Sequence, residues 1–268
     1  RDPEMSRGLG DVYKRQMVSC KKTRTGDTMH EIVYGDVLQV LRRMDDGIMF
    51  DAVITDPPYC SGGATLAAKQ QPSAKKYTST KGDCPYPDFD GDAKDQRSWT
   101  SWMAEWMTEA RRRANPGAPI CVFTDWRQLP SATDALQWAG WCWRGIVPWD
   151  KINARPQKGR FRQQAEFVVW GSNGNMPISR PVPILPGAYR MAAPQRRAHQ
   201  TEKPITLMRE LVKICEPGGT ILDPFAGSGS TIVAALLEGY SGIGIESMAY
   251  YADYARRRVD AVAKDNSK

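Results

Sequence analysis

Asp56, Pro57, Pro58 and Tyr59 close an apolar run in the stretch DAVITDPPYCSGG, residues 51–63. Proline fixes φ and cannot donate to a strand ladder, so DPP is at the least a strand-ending turn. A carboxylate beside two successive prolines and an aromatic ring is more than a turn requires. A second stretch, ILDPFAGSGSTIVAALLEG, ends a strand at Asp223, turns through Gly227, Ser228 and Gly229, and starts a helix. Glycines in such a turn let a ligand approach the backbone while the helix amides face its negative end. No Gly-Lys-Ser/Thr follows, so this is not a phosphate-binding P-loop, and Ile232 stands where the nicotinamide pattern G-x-G-x-x-G needs its third glycine. Glu246 closes the next strand, twenty-three residues after Asp223, where an acid accepts both hydroxyls of a ribose. The turn and the acid together predict a nucleoside cofactor.

With both motifs in one chain, the sequence resembles the amino-methyltransferases that modify DNA using S-adenosylmethionine. DPPY at 56–59 matches the catalytic motif of that family, and DPFAGSG at 223–229 matches its cofactor turn. Their order, catalytic motif first, is that of the circularly permuted β group, known from phages and restriction-modification systems. HQTEKP (199–204) before the cofactor helix and GD (35–36) before the DPPY strand match as well, so the resemblance runs from Glu31 to Val262. It implies catalytic roles for Asp56, Pro57, Pro58 and Tyr59. It places Asp223, Phe225, Gly227, Ser228 and Gly229 around the methionine and ribose part of the cofactor and Glu246 on the ribose. Asp36 falls near the adenine end, and Thr201 and Lys203 near the carboxylate.

The chemistry so implied explains the four catalytic residue types. The methyl donor is a sulfonium and the acceptor an exocyclic amine whose lone pair is delocalised into its ring. Asp56 and the carbonyl of Pro57 each accept one amino hydrogen, which favours a tetrahedral, nucleophilic nitrogen and offsets its growing charge. The ring of Tyr59 offers a face to a base taken out of the duplex. In-line transfer then rests on alignment, worth on the order of 7–11 kcal/mol, and needs no catalytic cysteine. The amine implied is the 6-amino group of adenine in duplex DNA, with the 4-amino group of cytosine as the alternative. A nicotinamide-dependent oxidoreductase and a non-catalytic DNA-binding protein are remoter alternatives; the oxidoreductase leaves DPPY unexplained.

The elements that must position these residues follow from periodicity. HEIVYGD alternates as a strand, FDAVIT and APICVFTDW are nearly all apolar, and TILDPF and GIGIE complete a set suited to a sheet covered on both faces. Trp99, Trp102, Met103, Trp106, Met107 and Ala110 recur at helical spacing and predict a core-facing helix, with Ser98 able to cap its start. EKPITLMRELVKICEPGG predicts a helix capped by Thr201, and SMAYYADYARRRVDAVA the closing one. WCWRGIVPWDK and AEFVVWGS read as antiparallel strands at one edge. Strands alternating with helices predict an α/β fold with a doubly wound, mostly parallel sheet, Rossmann-like, with an antiparallel edge.

One domain over residues 17–268 is expected, with an irregular insert at 60–97 and a short target-recognition region at about 171–198. The brevity of that region predicts a short recognition sequence. Residues 1–16 are expected to be a non-native prefix: DVYKRQ has the look of adaptor sequence read through as protein, and Met17 is the expected start.

The chain carries a formal charge of +7 over 268 residues, which favours a polyanionic partner. Removing residues 1–16, with four bases against three acids, lowers it only to +6. Lys151 to Ala198 holds nine Lys or Arg against one acid, Glu166. Within it RPQKGRFRQ mixes Arg155, Lys158, Arg160 and Arg162 with amides and a phenylalanine, which suits phosphate contacts and stacking on bases. Six scattered cysteines without a C-x-x-C pair, and only two histidines, predict no metal site and fit a reducing cytoplasm. No apolar run approaches the ~20 residues of a membrane helix, and no stretch has the order of a secretory signal. Double-stranded DNA is the expected partner, and the resemblance also admits a homodimer.

Overall fold

Strands buried on both faces have no polar side, and Ala52–Thr55 and Pro119–Thr124 are buried at every position. In the computed structural model, which describes residues 23–25, 28–60, 94–156, 158–194 and 202–265, these are β3 and β4, near the middle of a nine-stranded sheet. The others are β1 (Thr23–Thr25), β2 (Thr28–Tyr34), β5 (Cys142–Asp150), β6 (Ala165–Ser172), β7 (Tyr189–Arg190), β8 (Thr220–Asp223) and β9 (Ser241–Glu246). Their order is β1-β2-β9-β8-β3-β4-β6-β5-β7. The run from β2 to β4 is parallel throughout, β6 lies antiparallel between β4 and β5, and β1 adds an antiparallel edge to β2. The two- and three-residue strands β7 and β1 have too little periodicity to show in the sequence.

Six helices are seen among the described residues: α1 (Val37–Arg43), α2 (Gln96–Arg112), α3 (Leu129–Trp138), α4 (Ile205–Val212), α5 (Ser230–Leu237) and α6 (Ala249–Asp265). The period of two along a strand sorts the core. Val53, Ile120 and Val122 join the cluster that contains Leu41 of α1, Trp99 and Trp106 of α2 and Leu136 of α3. The intervening Ala52, Ile54, Cys121 and Phe123 join Leu207 and Leu211 of α4 and Ala234 of α5 on the other face. A third cluster seats Ala252, Ala255 and Val259 of α6 against Ile32 and α5. The sheet is thus doubly wound.

Three expected boundaries shift. Asp95, not Ser98, caps α2: its Oδ1 accepts from the Arg97 and Ser98 amides at 2.9 Å, and the Ser98 hydroxyl only braces Oδ2. That makes Gln96 and Arg97 helical, so the expected insert at 60–97 runs two residues too far; its residues 61–93 lie outside the described ones. The expected recognition region at 171–198 begins inside β6, because Gly171 and Ser172 still pair with Ile120 and Pro119, and residues 195–198 lie outside the description. Residues 1–16 and Thr201 also lie outside it, and the described residue at the head of α4 is Pro204.

From β8 the chain crosses to β9 on one side, and from β3 to β4 on the other. The winding direction therefore reverses between β8 and β3. At such a reversal a doubly wound sheet opens a crevice beyond the carboxyl ends of its strands.

Candidate active site

The parallel register decides which side chains reach that crevice. Tyr34 pairs with Glu246, Asp223 with Gly244, Val53 with Leu222, and Thr55 with Val122. Asp36, Glu246, Asp223, Asp56 and Asp125 therefore all stand on one rim of the sheet. The loop after β3 meets the loop after β8: Thr55 Oγ1 donates to Asp223 Oδ1 at 2.6 Å. A cleft is lined by both, with Asp56 from the first loop and Asp223, Phe225, Gly227 and Ser228 from the second. Burial pushes the Asp223 carboxyl up to about 6, against the opposing hydrogen bonds of Thr231 and Thr55.

The cofactor turn has the shape its glycines allow. Gly227 (φ +50°) and Gly229 (φ +80°) are left-handed, and a Cβ on Gly229 would lie 3.1 Å from Ala255 Cβ. Beside Gly227 no atom lies within 4 Å of where a Cβ would stand, so a ligand has room against that backbone. Glu246 braces the turn, Oε2 accepting from the Gly227 amide at 2.9 Å and Oε1 from the Met248 amide at 2.8 Å. Ser247 also donates to this carboxylate from its amide and its rotatable hydroxyl, and that hydroxyl is the donor a ribose hydroxyl can replace. Phe225 packs against Trp102 and Trp106 with centroids 5.2 Å away. Ser228 is buried, and Arg258 holds its carbonyl. Asp36 is exposed and caps α1 through the Gln39 amide, while the neighbouring Gly35 amide donates to the Glu246 carbonyl at 2.9 Å. A nucleoside fits this donor set.

The catalytic motif lies in a cluster of charges. Tyr59 OH donates to Asp56 Oδ1 at 2.7 Å, and Lys203 Nζ donates to Asp56 Oδ2 at 2.5 Å. Lys203 also donates to Tyr59 OH at 3.1 Å and lies 3.3 Å from Glu166 Oε2, which Tyr59 OH reaches at 3.3 Å. Lys151 donates to the other oxygen of Glu166 at 2.8 Å. The two carboxylates are driven apart. Burial raises Asp56, with Lys203 opposing and Glu166 adding to the rise. Burial also disfavours charge on Glu166, but Lys203 and Lys151 outweigh it and hold that carboxyl at about 2. Burial depresses the Lys203 ammonium, and Asp56 and Glu166 more than restore it.

The backbone of the motif is fixed from two helices. Trp99 Nε1 of α2 donates to the Pro58 carbonyl at 2.8 Å, and Gln128, ahead of α3, donates to the Tyr59 carbonyl at 2.9 Å. Cys60, buried, then leaves the motif with φ +53°, a left-handed value uncommon for a residue with a side chain. Asp125 turns inward to the Arg127 and Gln128 amides.

Lys203 thus sits against the catalytic motif as well as on the wall of the cleft. Glu166, Lys151, Trp99 and Gln128 are not among the expected site residues. Glu166 has a signal, as the one acid between Lys151 and Ala198. Trp99 reads as core, which it is, and its ring N–H carries the second role. Arg155, Lys158, Arg160 and Arg162 are all exposed on the loop between β5 and β6, whose two ends carry Lys151 and Glu166. Among the described residues no group of three or more His, Cys, Asp or Glu could hold a metal ion, and no helix is long and apolar enough to cross a membrane.

The sequence model of the N6/N4 family described as DNA methylase matches residues 50–257. The YubD protein of Escherichia coli (strain K12) is 27% identical over 243 residues, covering 88% of this chain and 92% of its own. The crystal structure of an M1.HpyAVI–SAM complex superposes with a TM-score of 0.65 at 22% identity, covering 87% of this chain and all of that one (100%). The cytosine-N4-specific PvuII DNA methyltransferase superposes with a TM-score of 0.62 at 15% identity, covering 89% and 93%. These two structures share the fold with this chain.

Proposed function

The chain belongs to the DNA methylase family, a family of S-adenosylmethionine-dependent enzymes, and from that premise we propose that it methylates the 6-amino group of adenine in duplex DNA. The observation that carries the reading is the meeting of two loops: the one bearing Asp56 and the one bearing Asp223 to Gly229 line a single cleft.

S-adenosylmethionine, when bound, supplies an electrophilic methyl group on a sulfonium. Glu246 is the residue suited to its ribose, the left-handed Gly227–Gly229 backbone to its amino-acid end, and Asp36, beside Glu246 on the rim, to its adenine side. Phe225, wedged against Trp102 and Trp106, closes the apolar wall. On the acceptor side the Asp56 carboxylate and the Pro57 carbonyl accept the two amino hydrogens, so the lone pair turns out of the ring plane. Trp99 and Gln128 hold the two carbonyls that follow, those of Pro58 and Tyr59, so little reorganisation accompanies the reaction. The Tyr59 ring, fixed at its hydroxyl by Asp56 and Lys203, is the stacking face for the displaced base.

The basic loop at 155–163 is the proposed DNA contact, with the insert between β3 and α2, and the segment that follows β6 is the proposed reader of a short recognition sequence. A leading Asp in the motif favours adenine; cytosine-N4 methylation is the alternative, and the PvuII enzyme of like fold has that specificity. Incubation with methyl-labelled cofactor and mixed-sequence duplex DNA, followed by nucleoside digestion, tests this. Labelled N6-methyladenine is expected, N4-methylcytosine selects the alternative, and absence of labelled nucleoside overturns both.

A further inference from the structure

Asp56 has more hydrogen-bond donors than its proposed task leaves room for. Tyr59 OH holds one oxygen and Lys203 the other, and an ammonium at 2.5 Å competes directly with an incoming amine. Both donors have a second acceptor. Glu166 Oε2 lies 3.3 Å from the Tyr59 hydroxyl and 3.3 Å from Lys203 Nζ, so the two groups that cover Asp56 also face Glu166. Glu166 is fixed in turn: β6 carries it, β5 pairs with β6 through Trp149 and Glu166, and Lys151 anchors its outer oxygen at 2.8 Å.

Resting on the methyl-transfer reading, we infer that Glu166 is a positioning residue that shares Lys203 and Tyr59 with Asp56, leaving Asp56 able to accept the amino group of the target base. Two carboxylates and two lysines balance in charge. A movement of Lys203 by a few tenths of an ångström towards Glu166 loosens its hold on Asp56 Oδ2 without stranding any charge. No covalent change is involved, and no proton changes owner. The charged or titratable groups facing Asp56 are Tyr59 from its own loop, Lys203 ahead of α4, Glu166 of β6 and Asp223 of β8. Lys151 acts on Asp56 through Glu166, and Asp125 through Tyr59.

Without the Glu166 charge, Lys203 belongs to Asp56 alone. Two effects follow together. The amine loses its acceptor, so single-turnover transfer slows. The Asp56 carboxyl loses a repelling neighbour and keeps its cation, so it protonates at lower pH. A variant that merely loosened the fold would slow transfer without that downward displacement.

The test is the pH dependence of single-turnover methyl transfer by the full-length protein, with cofactor affinity measured by calorimetry. For Glu166→Gln the plateau should fall roughly ten- to a hundredfold, as for a misplaced catalytic group. Its acid limb should move down by about half a pH unit or more, with the cofactor Kd within about threefold of wild type. Lys151→Gln, at a partly exposed position, should move the acid limb the opposite way by removing a cation. A Glu166→Gln profile that superimposes on wild type, or one that drops with its acid limb unmoved, overturns the inference. So does a stationary limb in Lys151→Gln. Wild type that transfers no methyl at any pH sinks instead the reading on which the inference rests.

Discussion

The Lys203 ammonium lies 2.5 Å from Asp56 Oδ2, joining the loop after β3 to the segment ahead of α4 across 147 residues of sequence. Both side chains are largely buried, at 7% and 20% exposure, so the pair is an electrostatic unit rather than a surface decoration. Asp56→Asn keeps the shape of the motif, removes its charge and turns one acceptor into a donor. Single-turnover transfer should fall by about 10²–10³, the cost of losing one preorganised electrostatic contact, while cofactor binding persists. Transfer by Asp56→Asn at the wild-type rate would contradict the proposed acceptor.

Removing the partner has a different signature. Lys203→Met leaves two buried carboxylates with Lys151 alone, and breaking a buried pair on one side costs roughly 3–5 kcal/mol. Denaturant unfolding should show that loss. The pH profile of residual activity should also shift, because Asp56, already raised by burial, loses the cation that opposes the rise. Its acid limb should move up. Unchanged stability with an unchanged limb would mean that the ammonium is not held there in solution.

Glu246 offers a cleaner test of the cofactor half. Its two oxygens already brace the Gly227 and Met248 amides, and the proposed ribose contact adds hydrogen bonds to a charged acceptor, each worth about 1.5–3 kcal/mol. Glu246→Ala should weaken S-adenosylmethionine binding by roughly a hundredfold or more in titration calorimetry, with DNA affinity little changed. A Kd within a few-fold of wild type would place the ribose elsewhere.

The architecture and both halves of the cleft were legible because their signals are local. Unbroken apolar runs mark β3 and β4 as covered on both faces, and a glycine turn between strand and helix marks Gly227–Gly229. What stayed hidden depends on contacts between distant segments. The resemblance sets Lys203 near the cofactor carboxylate, and its pairing with Asp56 and Glu166 shows only in the fold, where β6 brings Glu166 to it from 37 positions away along the chain. Trp99 shows its helical period but not that its ring N–H meets the Pro58 carbonyl. Ser98 and Asp95 are both competent caps, and only the backbone conformation at Asp95 chooses between them.

On the DNA side, Arg160 and Arg162 are exposed on the loop between β5 and β6, near whose ends Lys151 pairs with Glu166. Each phosphate neutralised adds about 0.9 to the slope of log K against log salt. Arg160→Ala with Arg162→Ala should weaken binding to any duplex sequence and flatten that slope by roughly 2. The thermal midpoint should not move, because neither side chain is buried. A preserved slope would remove this loop from the interface.

Asp223 gives the prediction that depends least on substrate. Burial raises its carboxyl from 3.8 to about 6 in the folded chain, so the folded state binds this proton more tightly than the unfolded one. The stabilisation from that proton is complete below about pH 4 and is lost as pH rises through 6, amounting to about 3 kcal/mol in all. Asp223→Asn never carries the buried charge. Its oxygen can still accept from Thr55 and the Phe225 amide, and its amide hydrogens can turn to the Thr231 hydroxyl. The Asp223→Asn variant is therefore expected to gain on wild type as pH rises from 4 to 7, by up to roughly 10 °C in melting temperature, and to hold that gain above pH 7. Parallel melting curves across this range would show that the Asp223 carboxyl is solvated, and that the two loops do not close over it as the 2.6 Å contact with Thr55 requires.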